Sequence, residues 1–140
     1  MRKPCDEPIS PTNKRKRILN SIEDLDVYQL AYDLSMKIFH LSRHWPRHEQ
    51  KALTDQALRS SRSVCANIAE AWRKRNYVRD FEHKLAIAHA ENCEFNTWLS
   101  IAHDCGYLDQ EQHHALIQIN DRVGAMLYRM IKHSDQWCKN

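Results

Sequence analysis

Residues 78–105, VRDFEHKLAIAHAENCEFNTWLSIAHDC, carry the clearest structural pattern in this chain. Their seam side chains alternate steps of three and four residues, which is the heptad spacing of an α-helix that packs on other helices. The seam consists of Val78, Phe81, Leu85, Ala88, Asn92, Phe95, Leu99 and Ala102. A seam of this kind packs at about 20° to its neighbours. The pattern therefore predicts a long helix from Val78 to Cys105.

A first helix is predicted upstream, from Asp24 to Trp45. Ser21 and Asp24 make a capping box at its start. Pro46 ends it, because proline disfavours the helical conformation of the residue before it. Its apolar side chains recur at the three- and four-residue steps of a packed helix. They are Val27, Leu30, Leu34, Ile38, Leu41 and Trp45.

Two further helices are predicted from the same periodicity. The second runs from His48 to Lys74, and its apolar face consists of Ala57, Ser61, Val64, Ile68 and Trp72. The fourth begins after Asp109, where Gln112 supplies the partner of a capping box. Its apolar stripe consists of Leu116, Ile119, Val123, Met126 and Met130.

Few residues interrupt these helices. No proline follows Pro46, and the only glycines are Gly106 and Gly124, so strands and hairpins are not expected. Short connections between long helices make neighbouring helices antiparallel. The prediction is an all-α fold, an antiparallel up-down-up-down four-helix bundle. It forms a single domain over residues 21–140, preceded by a flexible basic arm over residues 1–20.

Composition narrows the class of protein. The chain has 140 residues and a formal net charge of +3. It lacks a run of about 20 apolar residues, the length that a membrane span needs, and its charged N-terminus does not resemble a secretory signal. Its five cysteines form no CxxC pair, so free thiols in a reducing cytosol are expected. We therefore expect a cytoplasmic protein with no membrane association.

Enzymatic chemistry finds no support in the pattern of residues. A di-metal bundle needs two Glu-x-x-His motifs, whereas only Glu111–His114 supplies one, and Pro46 separates His44 from His48. Cys65 lies on a helix, without the strained turn or amide-lined hole that nucleophilic acyl transfer uses. No glycine-rich phosphate loop is present. We expect no catalytic residue, no metal, no cofactor and no small-molecule substrate.

A polar stripe follows the shoulder of the second helix. Ser63, Asn67 and Glu70 lie along it, and Glu94 of the third helix is a candidate to join them. Three interpretations stay open: a polar network within one subunit, a subunit interface where such groups set the register, and a catalytic role for Glu70, which has no visible partner set. In the first interpretation, the candidate partners of Glu70 are Arg59, Arg62 and Arg73.

Positive charge is concentrated in the arm and in the second helix. Basic clusters of this kind bind phosphate backbones through the release of counterions; alternatively, they form a solvated helix end that favourably meets the helix dipole. Trp72 and Tyr77 are expected in the core, so stacking on bases is not predicted. The candidate nucleic-acid-binding residues are Lys14, Arg15, Lys16, Arg17, Arg59, Arg62, Arg73, Lys74 and Arg75, with Arg79 beside them.

The segment Asn67–Glu70, preceded by Arg59 and Ser63, resembles the signature of the four-helix-bundle proteins encoded by intervening sequences of bacterial 23S rRNA genes. The resemblance continues at Glu23–Gln29, which is similar to the opening segment of that family. It extends over roughly residues 22–135 and includes Phe81, Leu85, Ile87, Ala88, Glu94 and the turn Gly106-Tyr107-Leu108.

This resemblance implies a ring-like homo-oligomer, a homopentamer. It also implies a fold related to the accessory variability proteins of diversity-generating retroelements, which bind RNA and a reverse transcriptase through basic surfaces. We therefore expect a non-enzymatic protein that binds RNA or DNA. The alternative is a scaffold or accessory subunit for a protein partner such as a reverse transcriptase. Trp45, Trp98 and Trp137 are expected to be incompletely covered in one subunit, which favours association.

Overall fold

The computed structural model describes residues 21–138, and every regular element in that range is helical. Four long helices are α1 (Asp26–Ser42), α2 (Asp55–Arg73), α3 (Val78–Asp104) and α4 (Gln110–Lys132), followed by the short α5 (Ser134–Trp137). The all-helical prediction with four long helices is confirmed for this part of the chain. The predicted arm, with Lys14, Arg15, Lys16 and Arg17, lies outside the described residues.

The ends of α3 and α4 follow the local signals of the sequence. The Gln112 N–H donates to Asp109 Oδ1 over 2.7 Å, and the Asp109 N–H donates to Gln112 Oε1 over 3.0 Å, which is the predicted capping box. Gly106 takes φ +80°, and the Tyr107 N–H donates to Ala102 O over 2.9 Å. This is the glycine-terminated helix end that satisfies the last carbonyls.

The segment between α1 and α2 differs from the prediction. α1 ends at Ser42, and α2 begins as an α-helix only at Asp55 rather than at His48. The intervening chain forms a 3-10 turn at Arg47–Glu49 and a wider π-helical turn at Gln50–Thr54. Pro46 has an extended backbone, so α1 cannot continue through it, and a new helix must begin after it. The predicted cap at Ser21 likewise serves a separate 3-10 turn, Ile22–Asp24, and not α1.

The buried apolar side chains form two clusters, one towards each end of the long helices. The first cluster joins the beginnings of α1 and α3 to the ends of α2 and α4, and includes Val27, Ala31, Val64, Ile68, Ala71, Phe81, Leu85, Val123, Leu127 and Met130. The second cluster joins the opposite halves of the same helices, and includes Leu34, Ile38, Trp45, Leu53, Ala57, Phe95, Leu99, Ala102, Leu108 and Leu116. Of the predicted α3 seam, every residue except Val78 is buried.

A polar contact between α3 and α4 lies where the two clusters meet. Asn92 Nδ2 donates to Asn120 Oδ1 over 2.6 Å, and Asn120 Nδ2 donates to the Asn92 carbonyl over 3.1 Å. Both side chains are buried. Gly124 faces this pair, since a Cβ at that position would lie 2.8 Å from Asn92 Oδ1. Glycine therefore allows α4 to approach the asparagine pair.

The three tryptophans that were expected to be incompletely covered differ in their solvent exposure. Trp45 is 8% exposed and belongs to the second cluster, so the prediction of an uncovered Trp45 is wrong. Its ring lies 6.1 Å from that of Tyr107, which covers it from the α3–α4 turn. Trp98 and Trp137 are partly buried. The large apolar groups that α1 exposes are instead Tyr32 and Met36.

Candidate nucleic-acid interface

The connection between α2 and α3 adjoins the first core cluster and has a closely bonded backbone. The Lys74 N–H donates to Ala71 O over 2.9 Å, which closes the last turn of α2. The Tyr77 N–H donates to Lys74 O over 2.8 Å, and the Phe81 N–H donates to Tyr77 O over 2.9 Å. Because hydrogen bonds hold both sides, the turn presents its side chains from a fixed backbone.

Most of the positive charge at this turn is exposed. Arg73, Lys74 and Arg79 are exposed, and so is Arg62, which lies further back on α2. Among residues 21–138, none of these four side chains forms a hydrogen bond or ion pair with another residue. Residues 73–79 contain four basic side chains and no acidic one. The turn therefore offers cationic groups to an external anion.

Arg75 belongs to the same turn but has a different environment. Its guanidinium lies 3.5 Å from the centre of the Trp72 ring, and its Nε donates to the Trp72 carbonyl over 2.9 Å. Burial lowers the pKa of Arg75 from its ordinary value. The stacking covers the end of the first core cluster, which Trp72 packs against. Arg75 thus adds charge to the surface while its geometry is fixed by the protein.

Arg59 does not share this surface. Its guanidinium binds two carboxylates of α3, with Nη1 3.2 Å from Glu91 Oε2 and Nη2 bonded to Glu94. The hydrogen bond from Arg59 holds the pKa of Glu94 below its usual value. Trp98 Nε1 also donates to Glu94 over 3.3 Å. The two carboxylates balance the charge of Arg59, so it is poorly placed to bind phosphate.

The predicted polar stripe divides into separate local contacts. Asn67 Nδ2 donates to the Ser63 carbonyl over 2.9 Å and to the Ser63 hydroxyl over 3.1 Å. Glu70 forms an ion pair with Lys84 of α3 over 2.7 Å, not with one of the arginines expected as partners. Glu94 lies with Arg59 and is not joined to these groups. The ion pairs of Arg59 and Glu70 join α2 to α3, whereas the Asn67–Ser63 contact lies within α2.

Tyr77 departs most from the sequence-based expectation, because its side chain is 63% exposed and not in the core. Tyr77 is the N-cap residue of α3, with φ −130° and ψ 95°, and the buried seam starts one turn later at Phe81. Val78 is also exposed. The signal that sequence reasoning missed is the polar run Arg73–Asn76 directly before Tyr77, since charged and amide residues are mostly exposed.

Away from this turn, the residues considered for catalysis or metal binding lie in surroundings that do not favour either chemistry. Burial raises the pKa of the Cys65 thiol to about 11, which disfavours the thiolate that a nucleophile needs. The His103 and His113 rings stack 4.4 Å apart, and burial lowers the pKa of His113. In the described range, no group of three or more His, Cys, Asp or Glu residues is arranged to hold a metal ion. From Ser21 to Cys138, no helix has the length and apolar character needed to cross a bilayer.

Comparison with known proteins places these features in a family. The family model described as 23S rRNA-intervening sequence protein matches residues 23–129. A solved structure from Bacteroides thetaiotaomicron, described as a protein with unknown function from the S23 ribosomal protein family, shares 30% sequence identity and a TM-score of 0.68. The match covers 76% of this chain and 98% of that one. No curated protein matches this sequence. The chain therefore belongs to the 23S rRNA-intervening sequence protein family.

Proposed function

We propose that this protein is a non-enzymatic cytoplasmic protein that binds nucleic acid, primarily RNA, through the turn between α2 and α3. The observation that carries the proposal is the set of exposed cations at Arg73, Lys74 and Arg79, which have no side-chain partner in the described part of the chain. Phosphate backbones attract such a group because binding releases condensed counterions. Arg62 extends the same charge along α2.

The proposal also includes the basic N-terminal residues Lys14–Arg17, which lie outside the described residues. Lys14–Arg17 precede Ser21 by a few residues, and each residue spans at most about 3.6 Å. Ser21 lines a surface groove together with Trp72, Arg73 and Arg75. Ser21, the first described residue after the arm, therefore lies beside the α2–α3 turn.

The assembly is part of the proposal. The composition of the two core clusters supports an antiparallel up-down-up-down bundle, since each cluster combines opposite ends of successive helices. Tyr32 and Met36 expose apolar surface on α1, which favours a contact between copies. We propose a ring-like homo-oligomer, a pentamer by resemblance, in which several basic turns contribute to one field. Native mass spectrometry tests this directly, and a monomer would contradict it.

A salt titration with matched charge reversals tests the binding function. The double variant Arg73→Glu, Lys74→Glu removes the central charges of the turn. The double variant Arg47→Glu, Lys51→Glu makes the same change in net charge beside the second core cluster, where both residues are exposed. In filter binding to a structured RNA, we expect affinity to fall steeply with salt. We also expect the first variant to bind far more weakly than the second.

Two results would contradict this function. The first is no RNA binding by the wild-type protein at low salt. The second is an equal loss of RNA affinity in both double variants, which would mean that only the total charge matters.

A scaffold function is the alternative, favoured by the exposed Tyr32 and Met36 of α1. A protein partner that is recovered equally with and without nuclease treatment would support the scaffold.

A further inference from the structure

We propose that Tyr77 stacks on an unpaired nucleobase while Arg73 and Lys74 hold the neighbouring phosphates. This inference rests on the proposed function and adds to it the class of ligand: RNA with single-stranded loops or bulges. It starts from the 63% exposure of Tyr77, a large aromatic side chain directly beside the exposed cations of the turn. Aromatic rings next to backbone-binding cations are how proteins bind single strands.

The ring of Tyr77 is open to a ligand. Between residues 21 and 138, the aromatic contacts and cation–π contacts involve other side chains, and none covers the Tyr77 ring. Of the two guanidiniums nearest in sequence, that of Arg75 is already stacked on Trp72, and that of Arg79 makes no cation–π contact in the described range. Tyr77 therefore keeps a face on which a base can stack, and the exposed Val78 extends the apolar surface beside it.

The backbone of Tyr77 is fixed before any ligand binds. Its N–H donates to Lys74 O and its carbonyl accepts the Phe81 N–H, so α2 and α3 hold it from both sides. A tyrosine has only two side-chain torsions to order on binding, which keeps the entropic cost low. The ring and the cations of Arg73 and Lys74 are thus carried by one rigid turn, as a site for adjacent base and phosphate groups requires.

The choice of unpaired RNA follows from the shape of the site. An exposed tyrosine ring cannot stack on a base that is already stacked and paired inside a duplex, whereas the bases of loops and bulges are available for aromatic stacking. The four residues before Tyr77, Arg73–Asn76, all have cationic or amide side chains that suit a phosphate backbone. A fully paired helix would contact only the charges, and Tyr77 would add nothing to its binding.

The test compares two RNAs and two kinds of substitution. The RNAs are a hairpin with an unpaired loop that contains 2-aminopurine, and a blunt duplex with the same stem. We expect Tyr77→Ala to weaken hairpin binding by about 5- to 150-fold, the range measured for lost base stacking, and to leave duplex binding unchanged. Tyr77→Phe should retain the affinity, because the ring rather than the hydroxyl does the stacking. Tyr128→Ala is the matched control, since Tyr128 is 59% exposed but lies on α4, outside the turn between α2 and α3.

Two readouts separate this inference from the proposed function. Tyr77→Ala should leave the slope of log affinity against log salt unchanged, whereas neutralising Arg73 or Lys74 should reduce its magnitude by about 0.7 per phosphate contact. The loop fluorophore should be quenched by the wild-type protein and by Tyr77→Phe but not by Tyr77→Ala. Hairpin binding that depends on Arg73 and Lys74 but not on Tyr77 would overturn the inference alone. The absence of all RNA binding would overturn the proposed function as well.

Discussion

We expect Gly124→Ala to destabilise the protein, and the same substitution to become stabilising once Asn92 is truncated to alanine. Gly124 lies in the interior of α4 and faces the buried Asn92–Asn120 contact. An added Cβ would lie 2.8 Å from Asn92 Oδ1, which is closer than carbon and oxygen atoms can pack without movement. The sign of the effect therefore depends on whether Asn92 can move.

The magnitude follows from two opposing terms. Alanine is favoured over glycine by about 1 kcal/mol in a helix interior. Inserting a methyl group into a packed contact costs about 1–3 kcal/mol. Moving the Asn92 side chain away is unfavourable, because its amide donates a hydrogen bond to Asn120 and each such bond contributes about 1 kcal/mol net. The expected result is a net loss of about 1 kcal/mol. In the Asn92→Ala background the obstacle is absent, and a gain of about 1 kcal/mol should remain.

Urea denaturation gives the free energy of unfolding of the wild type, Gly124→Ala, Asn92→Ala and the double variant. The effect of Gly124→Ala is then compared with and without the Asn92 side chain. Gly106→Ala is the control, because it is the other glycine of the chain, takes φ +80° and has nothing within 4 Å of an added Cβ. It should cost about 1–2 kcal/mol in both backgrounds, since its cost comes from the left-handed backbone. If Gly124→Ala has the same effect with and without Asn92, the steric reasoning is refuted.

Two further predictions concern titratable groups. Because Arg59 holds the pKa of Glu94 below its usual value, that ion pair stabilises the folded state above the unfolded pKa of the carboxyl and ceases to do so as pH falls through the folded pKa. We expect a milder acid-induced loss of stability in Arg59→Leu, and RNA affinity near that of the wild type. The Cys65 thiol, with a pKa of about 11 and a partly buried side chain, should react with iodoacetamide far more slowly at pH 8 than the exposed Cys93. Mass spectrometry of the labelled peptides checks this; equal labelling would show that burial does not protect Cys65.

Much of the helical framework could be predicted from local sequence because its causes are local. The three- and four-residue steps of α3 place one set of side chains on one face, and those from Phe81 to Ala102 are buried as expected. The capping box at Asp109 and the left-handed Gly106 depend only on residues within one turn of the chain. For the same reason the family signature could be recognised along the chain and is confirmed by the match over residues 23–129.

The environment of each charged or aromatic side chain was decided only by tertiary structure. Glu70 pairs with Lys84, and Arg59 with Glu91 and Glu94, because α3 brings these groups opposite α2. A long charged side chain reaches several neighbours of its own helix equally well, so periodicity cannot choose among them. Tyr77 is exposed because the buried seam begins one turn beyond it, and the position where a core ends depends on the lengths and offsets of all the packed helices. The periodicity of the sequence defines the apolar faces of the helices, and the packing of those faces determines which polar groups remain available to a partner.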